Sequence, residues 1–271
     1  SPMRSSALTG LRVLETAAMV AGPFCGKLLA ALGAQVIKAE PPLVGDASRR
    51  RGPFPGDLPH IERSGAFLYL NTGKKSVTLD WKTQSGFKQL AALVAKSDIL
   101  IEDWELHLRK SIVFDLDIFT EENPDLIELS VTPFGLSGPY ANFQSSPIVQ
   151  LALGGFLNLI GTQDREPLML PGRQPDYLTG INGANAIQMA LWDRELEKSG
   201  GRFLELSTME TLANLHQAPL DMDGGIRHRS DIERIIACGV NCFLVGESLM
   251  REKNIGSALS KLIGKNINKE S

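Results

Sequence analysis

The sequence predicts a doubly wound α/β fold on a mostly parallel sheet, and three observations carry that prediction. The first forty residues read strand, helix, strand; the alternation recurs down the chain; and small-residue turns join strand ends to helix starts. Residues 11–15 are a short apolar strand and residues 16–22 a small-residue turn. Pro23 suits the first turn of a helix, where its missing N–H loses no partner. Phe24, Leu28, Leu29 and Leu32 recur at helical spacing, and Gly33 is a natural stop. Residues 34–40 form a second strand, ended by Pro41 and Pro42. A strand–helix–strand unit of about thirty residues requires parallel strands.

Further strands are expected at 76–80, 98–101, 126–131 and 203–206, with helices at 83–96, 118–123 and 183–198. In the helix at 183–198, Ala184, Ile187 and Leu191 share an inward face, with Leu196 as a further candidate. Ser207 and Glu210 have capping-box spacing and open another helix. The whole is a Rossmann-like sheet. Residues 41–64 are too long for a simple connection and hold three successive arginines, Arg49 to Arg51. They read as a mobile lid, a binding loop or a solvated surface loop. Composition shifts near Asp221. Beyond it Ser230 and Glu233 cap a helix, residues 241–245 form a strand, and a helix covers about 255–262. The expected organisation is a domain over 1–221 and a short βα C-terminal appendage over 222–271.

Composition excludes several classes. Of 271 residues, 43% are hydrophobic and 22% charged, ordinary for a folded chain. A net charge of −3 gives no footprint for nucleic acid or an anionic membrane. Cys25, Cys238 and Cys242 are too few for a disulfide framework and lack metal-ligand spacing, so no metal site is expected. The uncharged stretch 141–163 is too polar to span a membrane. With no apolar signal core near the N-terminus, the expected compartment is a reducing cytoplasm. His60, His107, His216 and His228 form no triad or metal pattern.

An ordered set of short motifs resembles the family III CoA-transferases, the group of carnitine-CoA transferase, formyl-CoA transferase and, as a divergent branch, alpha-methylacyl-CoA racemase. The motifs are residues 8–15, Ala21-Gly-Pro23, residues 28–40, Gly45-Asp46, Leu70-Asn71, residues 74–80, residues 123–127 and residues 134–140. None is specific alone; their joint order over about 1–220 is. The tail is different. Gly224 to Ile226, Ser230 to Arg234 and Phe243 to Arg251 resemble the last two βα units of indole-glycerol-phosphate synthase, a TIM barrel. A barrel does not close from two strands, so the tail reads as a grafted fragment. In that family its glycine turns, here Gly225 and Gly246, present N–H groups to a substrate phosphate.

The resemblance implies transfer of CoA between an acyl-CoA and a carboxylic acid acceptor by a homodimer, with acyl-CoA as substrate and no tightly bound cofactor. It implies an aspartate nucleophile that forms an acyl-aspartyl anhydride and then an aspartyl-CoA thioester. Asp176 matches that layout, with Tyr177, Thr179 and Asn182 as nearby donors. Read without the family, an aspartate here is an ordinary helix N-cap. Val20, Ala21 and Gly22, at the head of the first helix, would offer N–H groups to the CoA pyrophosphate. Asn71, Lys74 and Lys75 match the family's basic turn for CoA phosphates, or form a solvated hairpin. Phe134 matches an aromatic near the thioester, or is an ordinary core residue. Where the family shows Asn and Arg, this chain has Asp103 and Glu105, two carboxylates near the expected phosphates. The acid/base element of the racemase branch is replaced by Ser145-Ser-Pro147, which disfavours racemisation. The family's second domain has no counterpart after about residue 220, so the rival expectation is a truncated or chimeric non-catalytic module that at most binds CoA or a phosphate ligand.

Overall fold

The computed structural model describes residues 6–104, 116–160 and 165–215, together with residues 106, 109, 229–230, 233, 257 and 260–261. The chain divides into two compact units, Ser1–Leu215 and His216–Ser271. The expected strand and helices of 230–262 lie almost wholly outside the described residues, as do His107, His216, His228, Cys238, Cys242 and Glu105.

The first unit carries a six-stranded sheet in the order β3-β2-β1-β4-β5-β6, every pairing parallel. The strands are β1 (Arg12–Glu15), β2 (Gln35–Glu40), β3 (Lys75–Thr78), β4 (Ile99–Glu102), β5 (Ile127–Thr132) and β6 (Arg202–Ser207). In register, Val13 pairs with Val36 and Ile99, and Leu14 with Ile37 and Leu100. Alternate residues of the central strands therefore enter two separate cores. On one face Val13, Val36, Ile99, Ile101, Ile127 and Leu129 pack with Leu29 and Ile187 from helices. On the other, Leu14 and Leu100 pack with Phe87, Leu90, Val94 and Phe119.

The helices are α1 (Ala21–Ala31), α2 (Gly65–Leu70), α3 (Gln84–Val94), α4 (Ile118–Glu122), α5 (Pro147–Leu153), α6 (Gln174–Glu197) and α7 (Thr208–Leu215). Thr83 caps α3 by accepting the Gly86 N–H at 3.1 Å. Ser207 accepts the Glu210 N–H at 3.3 Å, as its spacing predicted for α7. Gly33 ends α1 at φ 100°, a conformation that costs glycine little.

Three expectations differ from the structure. Helix α6 starts at Gln174, nine residues before the expected 183. Pro175 sits in its first turn, where no N–H is needed, and Gly180 and Gly183 face close neighbours. A Cβ on Gly180 would lie 2.7 Å from the Ala21 carbonyl oxygen, and one on Gly183 3.0 Å from Leu129. These glycines serve close packing against α1 and β5, and packing overrides their low helix propensity. Second, α2 and α5 carry too few periodic residues to be read in advance. Third, part of the 41–64 segment is tied down. Glu40 takes a two-pronged bond from Arg49, at 2.7 and 2.9 Å. The Ser64 hydroxyl reaches the carbonyls of Ser48 and Arg51 at 2.7 and 2.5 Å while capping α2 through the Phe67 N–H. Residues 55–63 of the same segment are largely exposed.

Candidate active site

The strand order reverses direction between β1 and β4, since the chain moves outward to β2 and β3 and then returns to β4. Ligands of such sheets bind beyond the strand C-termini at that point. A cavity of about 530 Å³ opens there, lined by Thr16 and Ala18 after β1, Pro41 and Val44 after β2, Trp81 after β3, and Asp103 and Trp104 after β4.

The turn joining β1 to α1 forms one wall and is held by two carboxylates. Asp103 Oδ2 accepts the Ala18 N–H at 2.9 Å. Asp46 Oδ1 accepts the Met19 N–H at 3.0 Å and the Ser48 N–H at 2.7 Å. Met19 stands at φ 61°, a left-handed conformation unusual for a side-chain-bearing residue, and its bond to Asp46 helps hold it there. The turn delivers Val20, Ala21 and Gly22 to the head of α1. No side chain caps that end and its first turn holds no acidic residue, so its N–H groups and dipole favour an anion.

Beneath the turn lies a buried charge cluster. Lys38 Nζ sits 2.9 Å from Glu15, 2.8 Å from Asp46 and 2.7 Å from the Ala17 carbonyl. Burial favours its neutral form, but Glu15 and Asp46 overcome that and raise its pKa. Lys74 Nζ donates to Glu15 at 2.8 Å, to Pro23 O at 2.7 Å and to Asn71 Oδ1 at 2.9 Å. Its pKa is lowered, first by burial, against the pull of Glu15. Lys74 and Asn71, expected at the CoA phosphates, have internal partners in this structure. All three donors of Lys74 are spent inside the protein, and the Asn71 amide donates to Phe67 O at 3.0 Å. They serve as the counter-ion of Glu15 and its brace. Gly26 admits this cluster, because a Cβ there would stand 2.0 Å from a Glu15 carboxylate oxygen. Lys75, next in sequence, is exposed at the start of β3.

Asp103 is the member of this region that faces the cavity. Withdrawal from water pushes its carboxyl up to about 7; the Ala18 N–H and Lys38 oppose the rise, while Asp46 and Glu15 add to it.

Asp176 lies in the first turn of α6, and Arg173 holds the N-cap position. The aspartate is therefore not the cap that its sequence context allows. It is 7% exposed, and its Oδ2 pairs with Arg173 Nε at 2.8 Å. Burial raises its pKa and the Arg173 guanidinium opposes the rise. Its neighbour Tyr177 meets Phe24 of α1 edge-on, with ring centroids 5.0 Å apart, and Gly180 abuts Ala21. The start of α6 thus lies beside the first turn of α1. Of the expected donors, Thr179 instead bonds back to Pro175 O at 2.8 Å. Phe134 follows β5, is buried, and sits 6.3 Å from the Tyr140 ring. Cys25 is buried with a raised thiol pKa, first because of burial, which leaves it unreactive.

Sequence reasoning missed Glu15, Lys38 and Asp46. The available signal was a lysine inside a strand buried on both faces, which requires a buried carboxylate. No group of three or more His, Cys, Asp or Glu suited to a metal ion occurs among the described residues. No described helix is long and apolar enough to cross a membrane.

Comparison with known proteins bears on this arrangement. The sequence model of CoA-transferase family III matches residues 8–248, a span that continues past residue 221. The chain is 36% identical over 192 residues to succinate–glutarate CoA-transferase of Agrobacterium fabrum, covering 70% of this chain and 48% of that protein. It is 34% identical over 216 residues to formyl-CoA:oxalate CoA-transferase of Streptomyces avermitilis, covering 80% and 51%. The chain therefore spans about half the length of these curated relatives. Among solved structures it resembles a CAIB/BAIF family protein from Brucella suis, with TM-score 0.73 and 30% identity over 90% of this chain and 61% of that one. An aspartate-to-alanine mutant of Rv3272 from Mycobacterium tuberculosis superposes with TM-score 0.69 and 29% identity, covering 78% of this chain and 56% of that one. The six-stranded parallel sheet, the ordered motifs and these matches agree: the chain belongs to CoA-transferase family III.

Proposed function

We propose that this chain carries the CoA site and the nucleophile of a CoA-transferase, moving CoA from an acyl-CoA to a carboxylic acid. One observation carries the reading: Asp176, in a family III chain, is withdrawn from water in the first turn of α6, beside the uncapped head of α1. A poorly hydrated, fixed carboxylate is what nucleophilic attack on a thioester needs. The Arg173 guanidinium opposes the rise in pKa that burial imposes on this carboxyl.

In this mechanism an Asp176 carboxylate oxygen attacks the thioester carbonyl, the C–S bond breaks, and CoA thiolate leaves a mixed anhydride. The thiolate then attacks the aspartyl carbonyl, releasing the first acid and leaving an aspartyl-CoA thioester. The acceptor carboxylate repeats the exchange, forming a second anhydride that the returning thiolate opens to new acyl-CoA and free Asp176. Val20, Ala21 and Gly22 present the helix head to the pyrophosphate, Lys75 supplies an exposed cation, and Phe134 flanks the thioester. The reading extends to a cytoplasmic homodimer with no resident cofactor, built from a domain over 1–221 and an appended 222–271 fragment.

The test is isotope exchange between succinyl-CoA and labelled free CoA, run beside calorimetric CoA binding. Exchange that Asp176→Asn abolishes while binding persists supports the reading. Binding without exchange in the wild type identifies a non-catalytic module.

A further inference from the structure

The cluster under the β1–α1 turn holds an odd charge. Glu15, Asp46 and Asp103 are three carboxylates, and Lys38 and Lys74 are the two ammonium groups among them. Both lysines are spent. Lys38 is shared between Glu15 and Asp46, and Lys74 is bound to Glu15. Asp103 is left with a backbone partner, the Ala18 N–H on Oδ2. It is also the carboxylate of the three that lines the cavity at the strand crossover. The cluster is neutral only when one carboxylate carries a proton. The position of Asp103, outside the lysine bonds, makes it the one.

We propose that Asp103 is a specificity residue that couples occupancy of this crevice to uptake of one proton: an anionic ligand binds beside the neutral carboxylic acid and is repelled by the carboxylate. The proton comes from solvent and settles on Oδ1, because Oδ2 is engaged by Ala18. The new O–H then donates to an acceptor on the ligand instead of presenting charge to it. The other charged groups around Asp103 are fixed in number. Glu15 comes from β1, Lys38 from β2, Asp46 from the turn after β2, Lys74 from the turn before β3, and Glu102 from its own strand; Asp80 and Lys82 stand on the cavity wall after β3. Glu102 is turned to Arg109 at 3.0 Å and to the Trp104 N–H, so it is a separate pair. The raised carboxyl of Asp103 places the proton step near neutrality.

The inference rests on CoA being the crevice ligand, and the experiment separates the two claims. CoA binding is measured by calorimetry at about pH 8 in buffers of different ionisation enthalpy, for the wild type and Asp103→Asn. The expected result is proton uptake approaching one per CoA in the wild type and none in the variant. Wild-type affinity should fall by up to about tenfold per pH unit above neutrality, and variant affinity should stay flat. CoA binding with no proton uptake in the wild type, or equal uptake in both proteins, overturns the inference. If CoA binds neither protein, the proposed function fails, and thermal melting decides the role of Asp103. A folded-state carboxyl above its unfolded value of about 3.9 loses stability as pH rises from the unfolded value to the folded one. The melting midpoint of Asp103→Asn relative to wild type should therefore climb between about pH 4 and pH 7 and stay level above that. A constant difference overturns the inference. Asp103→Ser, which keeps an acceptor for Ala18, serves if the asparagine variant fails to fold.

Discussion

At the scale of single residues, the site depends on groups whose neighbours determine what they can do. Asp176 and Asp103 are both withdrawn from water, but Asp176 has a guanidinium at 2.8 Å and Asp103 a peptide N–H. Burial raises both carboxyls; a guanidinium opposes the rise at Asp176, whereas Asp103 is pushed up to about 7, so in the proposed mechanism Asp176 is the one to attack and Asp103 the one to tolerate an anion. Glu15 anchors two lysines at once, so Glu15→Gln leaves two buried ammonium groups short of charge. Equilibrium denaturation should show a loss of about 3–5 kcal/mol. Gly180→Ala pushes a methyl to 2.7 Å from the Ala21 carbonyl, which is backbone and has little room to yield. The expected cost is about 1–3 kcal/mol in the same assay, with weaker CoA binding as α6 is displaced from α1. Legibility at this scale was uneven. Asp176 stood out only through the family pattern, because an aspartate before a helix has an ordinary capping explanation. Lys74 looked like a phosphate ligand because its partner Glu15 lies 59 residues away, a separation that local spacing does not reveal.

At the scale of elements, regular strands and helices were legible where periodicity was strong. Strands β1, β2, β4 and β5 fall within a residue or two of expectation. Helix α6 was misjudged at its start because glycines that fit tight packing look like breakers in isolation. The 41–64 segment was ambiguous because its anchors are side-chain bonds to distant backbone. Ser64→Ala removes a helix cap and two tethers to the 48–51 turn. It should cost about 1–2 kcal/mol and speed proteolysis within 41–64. Glu40 predicts an acid response of the same segment. Burial alone would raise its carboxyl, but Arg49, the Asp46 N–H and Ser76 hold it down at about 2. Such a group contributes stability above its unfolded pKa of about 4.3, and that contribution is lost as pH falls through the folded value. The stability difference between wild type and Glu40→Gln should be constant above about pH 5 and shrink toward pH 2. A difference that does not change with pH would contradict the buried pairing.

At the scale of the molecule, the six parallel strands build a complete switch point within Ser1–Leu215. The crevice, the head of α1 and the start of α6 all belong to that unit. The composition and the strand–helix alternation foretold this architecture, since parallel strands buried on both faces leave a clear apolar signature. They left the charge cluster to a single signal, Lys38 inside a buried strand, because its partners come from segments far apart in the chain. The central claim concerns one carboxylate, and mass spectrometry addresses it directly. The protein is mixed with succinyl-CoA and quenched with hydroxylamine, which captures an activated aspartyl carbonyl as its hydroxamate. The account predicts a single modified peptide with the adduct on Asp176, absent from Asp176→Asn. An adduct at another residue, or none while exchange of labelled CoA proceeds, would contradict it.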